Sequence, residues 1–360
     1  MNDKLLRTTV KDLVPYVAGE PIETVKEKYG VTEIIKLASN ENPIGASPKA
    51  IEAMKVMLDQ CQFYPDPEAN DLRTLMADKM GLKRENLIIT NGADNFLTIF
   101  GEAFINPGDE TITCVPTFGS FRTTVVKNEG VPIELPLNSE YKNDLNAIFD
   151  HITDKTKAIY ICNPNNPSGT LLCSKELEEF VNKVPENIII LLDEAYIEFI
   201  DKNGYKDSLD YVRAGKSNVI VVRTFSKIYG LAGLRIGYAV SSLELIDSLF
   251  RVKETFAANR IAIEGAKAAY QDDEFIDRVF KINQDGRIYL EEEFKKLGFD
   301  VVHSQSNFIL TDVKTDVDEL FETLKRRGII IRPSGKFARV TIGTQYQNEK
   351  LIEALREIIK

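Results

Sequence analysis

The chain has 360 residues, a length for two or three packed domains, with the 43% hydrophobic and 28% charged content of an ordinary globular protein. Acidic residues outnumber basic ones 55 to 45, giving a net charge of −10, and the only histidines are His151 and His303. This disfavours a histidine-built metal centre, a histidine-activated nucleophile and a nucleic-acid-binding surface, which would carry a basic bias.

In chain order, the first 35 or so residues hold Pro15, Gly19, Pro21 and Gly30 and read as an arm. Met1–Leu5 opens no apolar run of the kind a signal peptide needs. No segment approaches the ~18 consecutive apolar residues of a membrane span. From there, short β-rich runs alternate with helical periodicity, which predicts an α/β fold with a mainly parallel sheet. Strands are expected at Asn86–Thr90, Thr111–Val115, Ala158–Cys162, Ile188–Leu192, Val219–Arg223 and Arg235–Val240. Helical faces are marked by Phe96, Leu97, Phe100 and Phe104, and by Leu177, Phe180, Val181 and Val184 with Ser174 as N-cap. Leu243 to Leu297 is charged and helical, beginning with a connecting helix. Strands at Asn307–Thr311, Ile329–Arg332 and Arg339–Ile342, with helices at Val317–Arg327 and Gln347–Ile359, then predict a second α/β unit. The expected division is an arm (1–35) that packs with the small domain or a partner subunit, a large domain (36–245) and a small domain (246–360). Cys61, Cys114, Cys162 and Cys173 form no CxxC pair or zinc-like spacing and are expected as small apolar packing residues in a reduced, cytoplasmic protein without a metal site.

Familiar nucleotide motifs are incomplete. There is no G-x-G-x-x-G, and Gly215-Lys216-Ser217 ends like a P-loop but has Asp210 where the first glycine belongs. The informative segments fall at the carboxyl ends of expected strands, where open α/β sheets place ligands. Asn91-Gly92-Ala93-Asp94 joins a strand to a helix whose free N–H groups suit a phosphate. Asn163-Pro164-Asn165-Asn166-Pro167-Ser168-Gly169-Thr170 makes a rigid turn that projects amides at fixed positions. Asp193-Glu194-Ala195-Tyr196 ends an apolar strand on a carboxylate, which should meet a cation or a protonated ring nitrogen, while strand alternation turns Glu194 the other way. In Arg223 to Gly237, Lys227 sits among hydroxyls, aromatics and small residues, a setting for a desolvated amine reactive toward carbonyls. Each segment alone also has a plain structural reading as a turn, a connector or a surface charge.

Together with Ser39-Asn40-Glu41-Asn42-Pro43-Ile44-Gly45 and Arg339-Val340-Thr341-Ile342-Gly343-Thr344, these segments resemble the fold-type I pyridoxal-phosphate-dependent aminotransferases, and among them the histidinol-phosphate aminotransferase family. The resemblance runs over nearly the whole chain, and the order N-P-x-N-P-[ST]-G-T, D-E-A-Y, T-x-S-K-x-x-x-L-A-G-L-R-x-G is specific. It implies a large domain with a mainly parallel seven-stranded sheet, a smaller C-terminal α/β domain, pyridoxal phosphate as cofactor and a homodimer. By the same resemblance Lys227 carries the cofactor, Asp193 faces its pyridine nitrogen, and Tyr196 and Asn166 donate to its phenolic oxygen. Gly92, Ala93, Asp94, Thr224, Ser226 and Arg235 form the phosphate site, Phe118 stacks on the ring, and Tyr64 reaches the neighbouring subunit's phosphate. Catalysis would rest on Lys227, Asp193 and Tyr196, and substrate binding on Tyr16, Asn42, Arg332 and Arg339.

The implied reaction moves the amino group of histidinol phosphate to 2-oxoglutarate, in histidine biosynthesis. A threonine-phosphate decarboxylase, an aromatic or broad-range aminotransferase and a cofactor-binding regulator share most of these motifs. The regulator's usual DNA-binding domain has no room in the 35 or so residues before the motifs begin. Pro333–Ala338 is shorter than the family's loop, and Lys253–Asn259 departs from its substrate-side sequence.

Overall fold

In chain order the elements are α1 (Ile22–Tyr29), β1 (Ile35–Lys36), α2 (Pro48–Leu58), α3 (Asn70–Met80), β2 (Leu87–Thr90), α4 (Ala93–Phe104), β3 (Glu110–Val115) and α5 (Ser120–Lys127). Then come β4 (Val131–Pro136), α6 (Leu145–Asp150), β5 (Thr156–Cys162), α7 (Ser174–Lys183), β6 (Ile189–Asp193), α8 (Leu209–Arg213), β7 (Val219–Thr224) and β8 (Gly237–Val240). The remainder is α9 (Leu243–Phe250), α10 (Arg260–Tyr270), α11 (Asp273–Lys296), β9 (Asp300–Val302), β10 (Phe308–Asp312), α12 (Val317–Arg326), β11 (Ile329–Ile330), β12 (Arg332–Ser334), β13 (Phe337–Thr341) and α13 (Gln345–Ile358). The structure, a computed structural model, describes residues 5–11, 13–15 and 20–359, so Tyr16 lies outside the described residues.

Seven strands form the central sheet in the order β2-β8-β7-β6-β5-β3-β4. Its pairings are parallel except those of β8, which runs antiparallel to both β2 and β7. Six of the strands lie where their apolar runs predict them. The seventh, β4, escaped the sequence reading because Val131-Pro132-Ile133-Glu134-Leu135-Pro136 carries two prolines and is mostly open to solvent. An edge strand tolerates both features, since its outer N–H groups have no ladder to serve.

The inner strands are buried on both faces, and alternation sorts their side chains into two cores. Ile159, Ile161, Ile190, Leu192, Val219 and Val221 face one core; Ala158, Tyr160, Cys162, Leu191, Ile220 and Val222 face the other. The same parity sends Asp193 and Thr224 to the second face, and Arg223 and Glu194 to the first.

A four-stranded antiparallel sheet, β12-β13-β10-β9, and the short parallel pair β1-β11 form a second unit. Its core joins Ile35 and Leu37, from early in the chain, to Leu290, Phe294, Ile309, Val340 and Leu351. Helix α11 serves both units: Phe275 and Val279 pack in the first core, and Leu290 and Phe294 in the second. Its 24 residues span about 36 Å. Helix α10 buries Ala262, Ala266 and Ala269 in the first core.

Two local expectations are corrected. Ser174 is the first helical residue of α7 rather than its cap, and its Oγ accepts the Lys206 N–H at 3.0 Å instead. Cys114 and Cys162 are buried as expected, whereas Cys61 and Cys173 are exposed, on a helix-end turn and just before a helix, where no core is available.

Candidate active site

The carboxyl ends of β2, β3, β5, β6 and β7 meet at one edge of the sheet, and the segment entering the antiparallel β8 arrives at the same edge. A cavity of ≈ 260 Å³ opens there. Ten sequence-predicted residues line it: Ala93, Asp94, Phe118, Asn166, Asp193, Tyr196, Thr224, Ser226, Lys227 and Arg235. A larger hollow of ≈ 390 Å³ between α6 and α7 contains no residue from the four motif segments, and the chemistry lies with the smaller one.

Asp193 is buried at the end of β6, where Oδ2 accepts the Tyr160 hydroxyl proton at 2.7 Å and Oδ1 accepts the Ala195 N–H at 3.2 Å. Neither partner is a cation. Burial pushes its carboxyl up to about 6, against the lowering effect of those two hydrogen bonds. The carboxylate is therefore poised for a positive group that enters the cavity. Lys227 lines the same cavity, its Nζ donating to the Ser39 carbonyl at 3.4 Å and lying 5.5 Å from the Tyr196 ring centre. Burial, then the nearby Arg339 guanidinium, brings its amine down to about 8, with Arg235 adding to the effect and Glu41 and Asp94 opposing it. A neutral, nucleophilic fraction of that amine thus exists near neutral pH.

Tyr196 is buried and packs edge-on against Phe308 at 5.0 Å between ring centres. Its hydroxyl oxygen accepts the Asn166 Nδ2 proton at 3.1 Å, while Asn166 Oδ1 accepts from Arg339 Nη1 at 2.7 Å. At the far end of the cavity, the Thr224 hydroxyl donates to Ser226 Oγ at 2.9 Å, and Arg235 Nη1 donates to the same Oγ at 3.4 Å. These groups face the start of α4, whose N-cap, Gly92, supplies no side chain to the first-turn N–H groups. Hydroxyls, a guanidinium and an uncapped helix N-terminus are the components of an anion site. Gly92 has a required backbone role: its φ is +85°, and a Cβ there would lie 2.5 Å from Arg235 Nη2.

Other predicted residues lie elsewhere. Asn42 Nδ2 donates to the Ile228 carbonyl at 2.8 Å and its Oδ1 accepts the Ile44 N–H, so its amide braces the turn beside Lys227. Arg332 is the cross-strand neighbour of Arg339 in the β12–β13 hairpin. Tyr64 is 78% exposed and stacks on Phe256 at 4.4 Å, outside the cavity. Besides Ser39 and Phe308, two further residues the sequence reading did not single out touch the machinery. Tyr160, one residue pair behind Asp193 on the same sheet face, was hidden among the apolar positions of β5. Its only advance signal is a polar tip in a strand buried on both sides. Asn40, in the same motif as Asn42, donates to the Tyr196 hydroxyl at 3.1 Å.

Residues 32–355 match the family model for aminotransferase class I and II. The histidinol-phosphate aminotransferase of Moorella thermoacetica is 43% identical over 98% of this chain and 92% of that protein. The one from Caldicellulosiruptor saccharolyticus is 39% identical over 99% of this chain and the whole of that protein. Among solved structures, histidinol-phosphate aminotransferase from Sinorhizobium meliloti in complex with pyridoxal-5'-phosphate superposes with a TM-score of 0.90 at 25% identity, covering 98% of this chain and 97% of that one.

Proposed function

We propose, on the premise that the chain belongs to the class I and II aminotransferase family, that it transfers the amino group of histidinol phosphate to 2-oxoglutarate in histidine biosynthesis, using pyridoxal phosphate. The names of the full-length relatives support the substrate. One observation carries the chemistry: a lysine brought down to about 8 and a buried carboxylate that has no cationic partner among the described residues share one cavity that ends in an anion site.

The residues fit that cofactor part by part. Asp193 suits a protonated ring nitrogen, Lys227 a carbonyl carbon, and Arg235, Ser226, Thr224 and the α4 N-terminus a phosphate. Phe118 supplies an apolar wall for an aromatic ring. When bound, pyridoxal phosphate supplies a ring that accepts the electrons of a breaking Cα–H bond. Asp193, as an anion, favours a proton on the nitrogen facing it. The Lys227 amine takes up a proton at Nζ and returns it, acting as base and then acid, a role its lowered pKa suits. Arg332 and Arg339, cross-strand neighbours on β12 and β13, would supply guanidinium groups for the anionic groups of the substrate, Arg339 next to the Asn166 amide that it holds.

We further propose a cytoplasmic homodimer. Tyr64 and Phe63 are exposed aromatics on one loop, suited to burial by a second copy whose phosphate site Tyr64 would complete. The four free thiols accord with a reducing compartment.

The decisive experiment offers purified, cofactor-loaded protein histidinol phosphate, threonine phosphate, phenylalanine and glutamate one at a time. Histidinol phosphate and glutamate should each discharge the visible absorbance of the bound cofactor without CO₂ release. Saturation by phenylalanine with indifference to histidinol phosphate would replace the substrate, and CO₂ from threonine phosphate would replace the reaction. For the shared site, Tyr64→Ala and Lys227→Ala subunits should each be impaired alone and recover activity when co-expressed, because a mixed dimer holds one intact site.

A further inference from the structure

The Tyr196 hydroxyl has two donors: Asn166 Nδ2 and Asn40 Nδ2 each reach its oxygen at 3.1 Å. A phenol oxygen carries one proton and two lone pairs. With both lone pairs engaged by amides, the hydroxyl is left one proton to donate, and Tyr196 lines the cavity. Both amides are oriented from the second unit. The guanidinium of Arg339 can only donate, so Asn166 must present Oδ1 to it and Nδ2 to Tyr196. Asn40 Oδ1 accepts from the Thr341 hydroxyl at 3.1 Å, its N–H donates to the same Thr341 Oγ1 at 2.9 Å, and its carbonyl accepts from Asn307 Nδ2 at 2.9 Å. Asn40 is 1% exposed and holds a left-handed φ of +55°, a conformation asparagine tolerates better than most residues. Arg339 and Thr341 lie two positions apart on β13, on one face of the strand.

We propose that Asn40 is a positioning residue for the transamination, and that through Asn40 and Thr341 the seating of β13 aims the Tyr196 proton into the cavity. The inference rests on the cofactor reading above, in which Tyr196 donates to the phenolic oxygen. Sequence order gives no hint of it, because Asn40 and Tyr196 are 156 residues apart and Asn40 and Thr341 are 301 apart.

Asn40→Asp is the sharpest test. It keeps the shape, but an ionised carboxylate can only accept, so it draws the Tyr196 proton away from the cavity. A donor to an anionic oxygen stabilises the deprotonated form, so losing it raises a midpoint. In the cofactor-loaded enzyme, the pH midpoint of the visible absorbance should rise by about half a unit to one unit, the equivalent of one hydrogen bond. With it, kcat should fall about tenfold while KM stays within about twofold, since the contact is made to the reacting assembly and not to the substrate. Asn40→Ala should move the midpoint less, Thr341→Val should move it in the same direction, and Thr341→Ser should restore it. Unchanged midpoints in Asn40→Asp and Asn40→Ala proteins that melt normally would overturn the proposal. Should the Asn40 variants not fold, equal midpoints for Thr341→Val and Thr341→Ser would overturn it as well. Failure of the cofactor reading itself looks different: the unaltered protein would then show no visible absorbance with pyridoxal phosphate at any pH.

Discussion

Asp193 and Glu194 are consecutive, both buried, and face opposite sides of one sheet. Behind the sheet, Glu194 Oε2 accepts two bonds from Arg223, at 2.9 Å from Nε and 2.7 Å from Nη2. Arg223 also reaches Asp207 at 2.7 Å, and the Tyr205 hydroxyl donates to Glu194 Oε1 at 3.2 Å. That carboxylate is complete within the protein. In front, Asp193 has a phenol and a backbone N–H, and burial pushes its carboxyl up to about 6. A buried anion with its cation in the chain is structure, and one whose partners are all neutral is a place prepared for a ligand.

The contrast can be tested from its strongest consequence downward. Lys227→Ala should abolish the visible absorbance of the bound cofactor and lower kcat/KM by about 10⁴-fold or more, because the proton carrier is lost. Variants behind the sheet should leave that absorbance in place. Glu194→Ala removes the doubly bonded partner of Arg223 and leaves the buried guanidinium to Asp207, and denaturant unfolding should show a loss of about 3 kcal/mol.

Asp193→Asn should act in the opposite direction on stability. The folded carboxyl titrates near 6 and the unfolded one near its ordinary 3.8, so the folded state binds more protons between those values. Stability of the cofactor-free protein therefore rises as pH falls from about 6 to about 4, and above 6 the buried charge costs the fold about 3 kcal/mol. The asparagine variant should be more stable by roughly that amount at neutral pH, lose the advantage below pH ~4, and be catalytically crippled. Equal stability of the two proteins at pH 7 would show that Asp193 is satisfied within the chain after all.

Gly92→Ala combines a positive φ with a Cβ against the Arg235 guanidinium, and cofactor titration should show about tenfold weaker binding with the fold retained. Smallest of all, Tyr160→Phe removes one of the two bonds that restrain the Asp193 carboxyl. The acid limb of cofactor binding should move up from about pH 6 by about half a unit to one unit.

Much of this arrangement is legible in local windows. The apolar run Ile188–Leu192 ending on Asp193 announces both a strand covered on two faces and a carboxylate out of place, and the structure puts β6 there with Asp193 as its last residue. Alternation alone turns Glu194 away from the site. The motif segments lie at strand ends, so predicting the strands already places Lys227, Asn166 and Ala93 at one edge of the sheet. Edge strand β4 was illegible because prolines and exposed side chains erase the pattern that marks an inner strand.

Sequence by itself determined where the inner strands of the large sheet form, which way their side chains alternate and which chemical groups stand at the strand ends, because those depend on neighbours within a few residues. Tertiary structure decided which group answers which. It gave Asn42 to a turn and Asn40 to the Tyr196 hydroxyl, set Tyr160 against Asp193 and not simply into the core, and brought Arg339 and Thr341 from the far end of the chain to orient two amides. Those are contacts across strands and between units, fixed only when the chain has closed on itself, and no local spacing encodes them.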